Sequence, residues 1–227
     1  MELKNKVVVI TGGSKGLGKA LANSFIREGS IVIISSHNEI ELKRTAKKIN
    51  AIAIMADVTK ENKVKNLAEK VVADFGKIDI WINNAGVRIP QTSIEKINMK
   101  RFHEMMDINL FGVVFGSKYA LSQMKKQKEG IIMTTLSTAA LEGKKDSSAY
   151  CASKSAALGF IKCLKLETDN YIKIINIYPG GMQTNFFDED KPYDYNQFMD
   201  PNSVAEKIIE NLKKNDPEEE LVIRRNV

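Results

Sequence analysis

The chain has few of the residues on which small secreted or metal-bound proteins depend. Among 227 residues there are two cysteines, two histidines, one tryptophan and five prolines. Cys151 and Cys163 fall on one expected helix, where a rise of ~1.5 Å per residue sets them roughly 18 Å apart, beyond disulfide reach. Free thiols fit a reducing compartment. His37 and His103 stand far apart, and no cysteine or carboxylate cluster has ligand spacing, so no metal is expected. No apolar run approaches the ~18 residues a spanning helix needs, and the first six residues lead into a strand without a leader pattern. The expectation is a soluble, cytoplasmic protein with no membrane partner. The Gly-x-Ser-x-Gly elbow of serine hydrolases is expected to be absent, so Ser137 is not read as a nucleophile. The net charge of +6 arises from 34 basic against 28 acidic residues. The basic residues are scattered, and runs such as Lys125-Lys126-Gln127-Lys128 read as solvated helix ends, so no nucleic-acid partner is expected.

What remains is an alternation of strand and helix. Short β-branched runs predict strands over 6–11, 31–35, 51–56, 78–83, 130–136, 172–178 and 221–225. Between them, helical patterns begin near Gly16 and near Asn38, where Glu41 completes a capping-box spacing. Further helices are expected over 60–75, 98–128, 147–169 and 201–214. Such an order predicts an α/β fold, a doubly wound, seven-stranded parallel sheet flanked by helices in three α/β/α layers, with right-handed crossovers. At 43% apolar residues there is enough to fill one such core, and the whole of 1–227 is expected as a single domain. No repeat or linker interrupts it. The one long stretch without periodicity is 184–200, and loops of that kind are often functional.

Two expected helices are apolar on more than one face. The first carries Phe102, Met105, Met106, Ile108, Leu110, Phe111, Val113, Val114 and Phe115, the second Ala152, Ala156, Ala157, Leu158, Phe160, Ile161, Leu164 and Leu166. One side of each can pack on the sheet, and the other needs a cover. Association into a homodimer or homotetramer through these helices is the expectation.

Chemistry gathers around Tyr150 and Lys154, four residues apart and hence on one helix face. An isolated phenol titrates at about 10, and a fixed cation beside it favours the phenolate. Such a pair can move a proton. Upstream, Thr11-Gly12-Gly13-Ser14-Lys15-Gly16-Leu17-Gly18 lies between a strand and a helix. There glycines allow left-handed backbone and close approach, and free amides at the helix start favour an anion. Asn83-Asn84-Ala85-Gly86 closes the fourth strand, and Ser137 closes the fifth. Each feature also has a plain structural reading: a glycine-rich turn, a strand-ending turn, a helix cap at Asp57.

Taken together these motifs resemble the short-chain dehydrogenase/reductase family over nearly the whole chain. The resemblance implies a catalytic tetrad of Asn109, Ser137, Tyr150 and Lys154. Tyr150 is the implied general acid or base, Ser137 the hydrogen-bond partner of the substrate oxygen, and Lys154 the holder of the nicotinamide ribose. Asn109 is implied to interrupt its helix and hold a water. For the cofactor it implies Gly12, Ser14, Lys15, Gly16, Leu17 and Gly18 at the phosphates, Asp57 and Val58 at the adenine, and Asn84, Ala85 and Gly86 alongside. Pro179, Gly180, Met182 and Thr184 are implied over the nicotinamide. An NAD-preferring chain places a carboxylate just after the second strand, where this one has Ser36 followed by His37. NADP(H) is therefore the expected cofactor, with Lys15 and His37 as cations toward its extra phosphate and NAD(H) as the alternative. The substrate implied is a small-molecule carbonyl or alcohol. A non-catalytic nucleotide sensor on the same scaffold is the competing reading.

Overall fold

The computed structural model describes residues 1–225. Its strands are β1 (Val7–Thr11), β2 (Ile31–Ser35), β3 (Ile52–Ala53), β4 (Ile80–Asn83), β5 (Gly130–Thr135), β6 (Ile172–Pro179) and β7 (Glu220–Ile223). Its α-helices are α1 (Gly16–Arg27), α2 (Glu39–Ile49), α3 (Glu61–Phe75), α4 (Met99–Met106), α5 (Gly112–Gln127), α6 (Ser148–Leu166) and α7 (Pro201–Lys213). The strands form one parallel sheet in the order β3-β2-β1-β4-β5-β6-β7, the doubly wound arrangement expected.

Period-two alternation divides the core between the two faces of the sheet. Val8 and Ile10 of β1 join Leu21 and Phe25 of α1, Leu42 of α2, and Val204, Ile208 and Leu212 of α7. Val7 and Val9 turn the other way, to Val64, Leu67 and Val71 of α3, Met124 of α5 and Ile161 of α6. The strand order reverses between β1 and β4, so the loops leaving their carboxyl ends diverge and open a crevice. Both motifs read from the sequence, the glycine-rich turn after β1 and the Asn-Asn-Ala-Gly run ending β4, lie at that crevice.

Two expectations are corrected. The strand expected over 51–56 is regular only at Ile52–Ala53. This is the sheet edge, and beyond Ala53 only single bonds, Ile54 N to Ile34 O at 3.1 Å and Ala56 N to Ser36 O at 3.2 Å, follow the neighbouring strand. The helix expected over 98–128 is divided into α4, a π-helical turn at Asp107–Phe111, and α5, the break falling at Asn109 as the resemblance implies. A π turn holds one residue more than an α turn and marks functional positions often. Here it carries Asn109 inward, to partners on two other segments.

Candidate active site

The turn after β1 is shaped by close approaches. Gly12 has φ +65°, and a Cβ on it would lie 2.8 Å from the Ala85 Cα. A Cβ on Gly18 would lie 2.3 Å from the Gly12 carbonyl oxygen, so helix and turn pack without room for a side chain. Gly16 has φ +52° and faces Thr184 across the crevice, at 3.4 Å from an added Cβ. Asn84 fastens the turn to the end of β4, its Nδ2 donating to the Thr11 and Gly12 carbonyls at 2.9 and 3.2 Å. Thr11 Oγ1 accepts from the Asn84 and Ala85 amides, each at 3.1 Å. From α2, Thr45 donates to the Ser14 carbonyl at 2.9 Å. Ser14 and Leu17 are buried. The expected absence of a hydrolase elbow is corrected, since Gly12-Gly13-Ser14-Lys15-Gly16 spells one, but Ser14 is buried and among the described residues no base is bonded to it, so it serves the turn.

The N-cap residue of α1, Lys15, makes no side-chain cap bond, so the first amides of that helix face the crevice with their partial positive charge uncompensated by it. That is a cradle for an anionic group. Lys15, just before it, is exposed and bridged to Glu41 Oε2 at 3.1 Å, and Arg44 stands 3.9 Å from Glu41 Oε1. Ser36 is half-buried and His37 exposed; Ser36 Oγ accepts from the Asn38 amide at 3.4 Å. Asp57 Oδ1 accepts from the Thr59 amide and hydroxyl at 2.9 and 2.8 Å. The residue at the cap of α3 is Lys60, so Asp57 orders the turn before that helix rather than capping it. Val58 packs on the start of α5, where a Cβ on Gly112 would come within 3.0 Å of it.

Ser137 follows β5 with its hydroxyl 3.1 Å from the Ala139 amide, and its side chain lies beside the Tyr150 phenol. Burial pushes that phenol up to about 12, opposed by the Ser137 hydroxyl and then by the positive charge of Arg88. Lys154 is buried at 4% exposure, and burial pulls its ammonium down to about 8. The lowered pKa expected for Tyr150 from Lys154 is therefore not seen in the protein alone, where the shift is upward. Desolvation of the phenolate is the larger effect, and the lysine is turned toward the Thr135 carbonyl, 3.0 Å from its Nζ.

Among the described residues that carbonyl is the one acceptor bonded to Lys154. A buried ammonium with three hydrogens and one acceptor is incompletely satisfied. Gly86 leaves space beside it, since a Cβ there would lie 3.5 Å from Lys154 Nζ and 3.3 Å from Asn109 Oδ1. Asn109, fully buried, binds both backbone groups of Val87, accepting from its N–H at 2.9 Å and donating to its oxygen at 2.8 Å. It also donates to Ser153 Oγ at 3.0 Å, and Ser153 in turn donates to the Tyr150 carbonyl at 2.8 Å. Both amide hydrogens of Asn109 are thus engaged by protein, tying the segment after β4 to α6.

After β6, Gly180 N donates to the Ile223 carbonyl at 2.9 Å, extending the sheet past Pro179. Met182 pairs as an isolated bridge with Met199. Thr184 caps a short turn, Asn185–Phe187. Beyond it Phe186 meets the Tyr150 ring edge-on at 5.7 Å. Thr45, Ser153 and Arg88 were not singled out in the sequence, because no local pattern distinguishes a residue whose partners lie 31 to 102 positions away.

The sequence model of the short chain dehydrogenase family matches residues 6–194. This chain belongs to the short-chain dehydrogenase/reductase family. An uncharacterized oxidoreductase of Staphylococcus saprophyticus is 32% identical over 97% of this chain and 94% of its own length. A 3beta-hydroxysteroid dehydrogenase of Eggerthella lenta is 34% identical over 92% of the chain and 80% of its own length. Among solved structures, an alcohol dehydrogenase from Thermococcus sibiricus complexed with 5-hydroxy-NADP superposes with a TM-score of 0.89 at 27% identity, covering 97% of this chain and 96% of that one. The chain is accordingly an oxidoreductase of this family. No helix among the described residues is long and apolar enough to cross a membrane.

Proposed function

We propose that this short-chain dehydrogenase/reductase is a nicotinamide-dependent carbonyl reductase in which Tyr150 is the general acid and base, with cofactor and substrate held by one domain. The observation that carries the reading is the buried, under-satisfied Lys154 beside Gly86 and behind Tyr150, a donor that asks for ligand oxygens. The uncapped start of α1 suits the pyrophosphate, and Lys154 the nicotinamide ribose. Held there, a reduced nicotinamide would supply hydride to a carbonyl carbon. Ser137 Oγ donates a hydrogen bond to the substrate oxygen, and Tyr150 Oη gives that oxygen its proton, leaving an alcohol and a phenolate that solvent reprotonates. In the reverse direction the phenolate takes the hydroxyl proton. Asn109 positions Val87 and α6, so that the phenol and the ammonium approach one ligand. A panel of ketones, aldehydes and 3-oxoacyl esters, followed through the absorbance of reduced cofactor, tests the reading; a sensor that binds cofactor without turnover of any of them would replace it.

NADP(H) is the preferred cofactor in this reading. After β2 stand Ser36 and His37 rather than a carboxylate, and Lys15 and Arg44 converge nearby on Glu41. The surface Lys15–Glu41 pair, its lysine exposed and its glutamate half-buried, stabilises by about 0–1 kcal/mol, whereas a charge-assisted bond to a phosphate contributes about 1.5–3 kcal/mol. Lys15 is therefore free to exchange Glu41 for the 2′-phosphate. Lys15→Ala should weaken NADPH binding about tenfold and leave NADH nearly unchanged, measured by cofactor fluorescence titration. Equal weakening of both would remove Lys15 from the phosphate site.

The subunit is proposed to pair through α5 and α6. On α6, Ala152, Gly159, Cys163 and Leu166 are exposed, Leu166 at 88%, and a Cβ on Gly159 would meet nothing within 4 Å. Phe111 is exposed at the start of α5. Sedimentation at micromolar concentration should give a dimer or tetramer; a stable monomer would contradict this.

A further inference from the structure

The segment between β6 and α7 is joined to the body of the protein by a contact that the reaction itself does not require. Arg88, four residues past Asn84, keeps only 9% of its side chain exposed. Its Nη1 donates to the Asp190 carbonyl at 3.0 Å and its Nη2 to Asp190 Oδ2 at 3.1 Å. The same carboxylate oxygen accepts from the Gln91 amide at 3.0 Å. The Arg88 guanidinium also lies 4.9 Å from the centre of the Phe187 ring. Phe187 in turn touches Phe186, Tyr195 and Phe198 edge-on at 5.6, 6.0 and 5.1 Å, and Phe186 ends this chain of rings on Tyr150. A guanidinium held at two nitrogens and one face has little freedom left. A single side chain thus fixes both the backbone at Asp190 and the ring stack that reaches the phenol.

We propose that Arg88 is a positioning residue which, through Asp190 and Phe187, seats the Phe186 ring beside Tyr150, making Phe186 the wall against which a substrate with a flat, apolar flank is aligned. The proposal rests on the reductase reading for its substrate and on geometry alone for its latch. A carbonyl oxygen between Ser137 and Tyr150 leaves its substituents against the nearest ring, and that ring is Phe186. Edge-to-face contact with a flat apolar group is favourable there, while a charged group against the ring would lose hydration and need a partner to offset it. Arg88 is not such a partner, because Asp190 and Phe187 already occupy it. Its positive charge also counters the burial of the Tyr150 phenol.

Arg88→Met and Asp190→Ala remove the two sides of the latch, and the pair Arg88→Met/Asp190→Ala tests whether they act as one. Hydrogen exchange of the peptide over 184–198, read by mass spectrometry on the intact protein, should speed up in each single variant by a similar factor of about ten or more and no further in the double variant. With an aryl ketone and a short aliphatic ketone compared on the same enzyme, KM for the aryl ketone should rise about tenfold in each variant, with that for the aliphatic ketone changing much less. Phe186→Ala should reproduce this selectivity without loosening the latch. Unchanged exchange in Arg88→Met, or additive acceleration in the double variant, would overturn the latch whether or not the enzyme reduces ketones. Equal loss with both ketones would overturn the role of Phe186. Failure of the wild type to reduce any carbonyl would overturn the substrate half, leaving the exchange result to decide the latch.

Discussion

Tyr150→Phe is expected to lower turnover by about three orders of magnitude, within the range that a positioned proton donor contributes. The substitution removes one oxygen and leaves the ring, so the edge-on contact with Phe186 and the packing are retained. Cofactor affinity should stay within roughly twofold, since the loss falls on a bond made in the transition state. The pH dependence has a definite sign. With burial holding the phenol up to about 12, the acid form that reduction needs persists through the neutral and mildly alkaline range. The base form that oxidation needs grows as pH rises, so the ratio of oxidation to reduction should climb from pH 7 to 10. Near wild-type kcat in Tyr150→Phe, measured in both directions, would remove Tyr150 from proton transfer.

Lys154→Met should weaken both catalysis and cofactor binding while making the fold more stable. In the folded protein burial brings the ammonium from 10.5 down to about 8. At pH 7, below both values, the folded state carries a charge that its surroundings disfavour, by on the order of 3 kcal/mol. That cost disappears as pH rises from about 8 toward 10.5, because the folded lysine is by then neutral. Methionine matches the length of the stem and leaves no ammonium, so the variant should melt higher at pH 7 and lose that advantage by about pH 10.5. Cofactor affinity carries the opposite sign. A ligand that binds the ammonium binds less tightly above pH 8 in the wild type, and in Lys154→Met this step in the titration should be missing. A variant that melts lower at pH 7, with unchanged cofactor affinity, would mean that Lys154 is a structural group.

Both effects come from burial, the property least visible in the residue string. The order of elements was legible, because β-branched runs and helical periods alternate over the whole chain and both faces of the sheet need apolar residues. The glycine turn was legible for a similar reason: Gly12, Gly16 and Gly18 each meet a local steric demand. The Tyr150–Lys154 spacing identified two side chains on one face, but it could not show that the lysine turns to Thr135 or that burial raises the phenol. Nor could it show that the interruption implied at Asn109 is a π turn whose asparagine is bonded to Val87 and Ser153. The latch at Arg88 joins residues 102 positions apart, and the segment it holds has no regular period to read. Pairings set by tertiary packing leave no pattern in the window around either partner.

The most direct test of the central claim is hydride transfer itself. The wild type and Tyr150→Phe are each given NADPH carrying deuterium at its transferable position, together with whichever ketone the panel shows to be best. The product alcohol is then analysed by mass spectrometry. The account predicts one deuterium on the carbinol carbon of the wild-type product, and in Tyr150→Phe the same labelled product formed about a thousandfold more slowly at near-normal cofactor occupancy. Cofactor binding by the wild type with no deuterium in any product, or full-rate transfer by Tyr150→Phe, would contradict it.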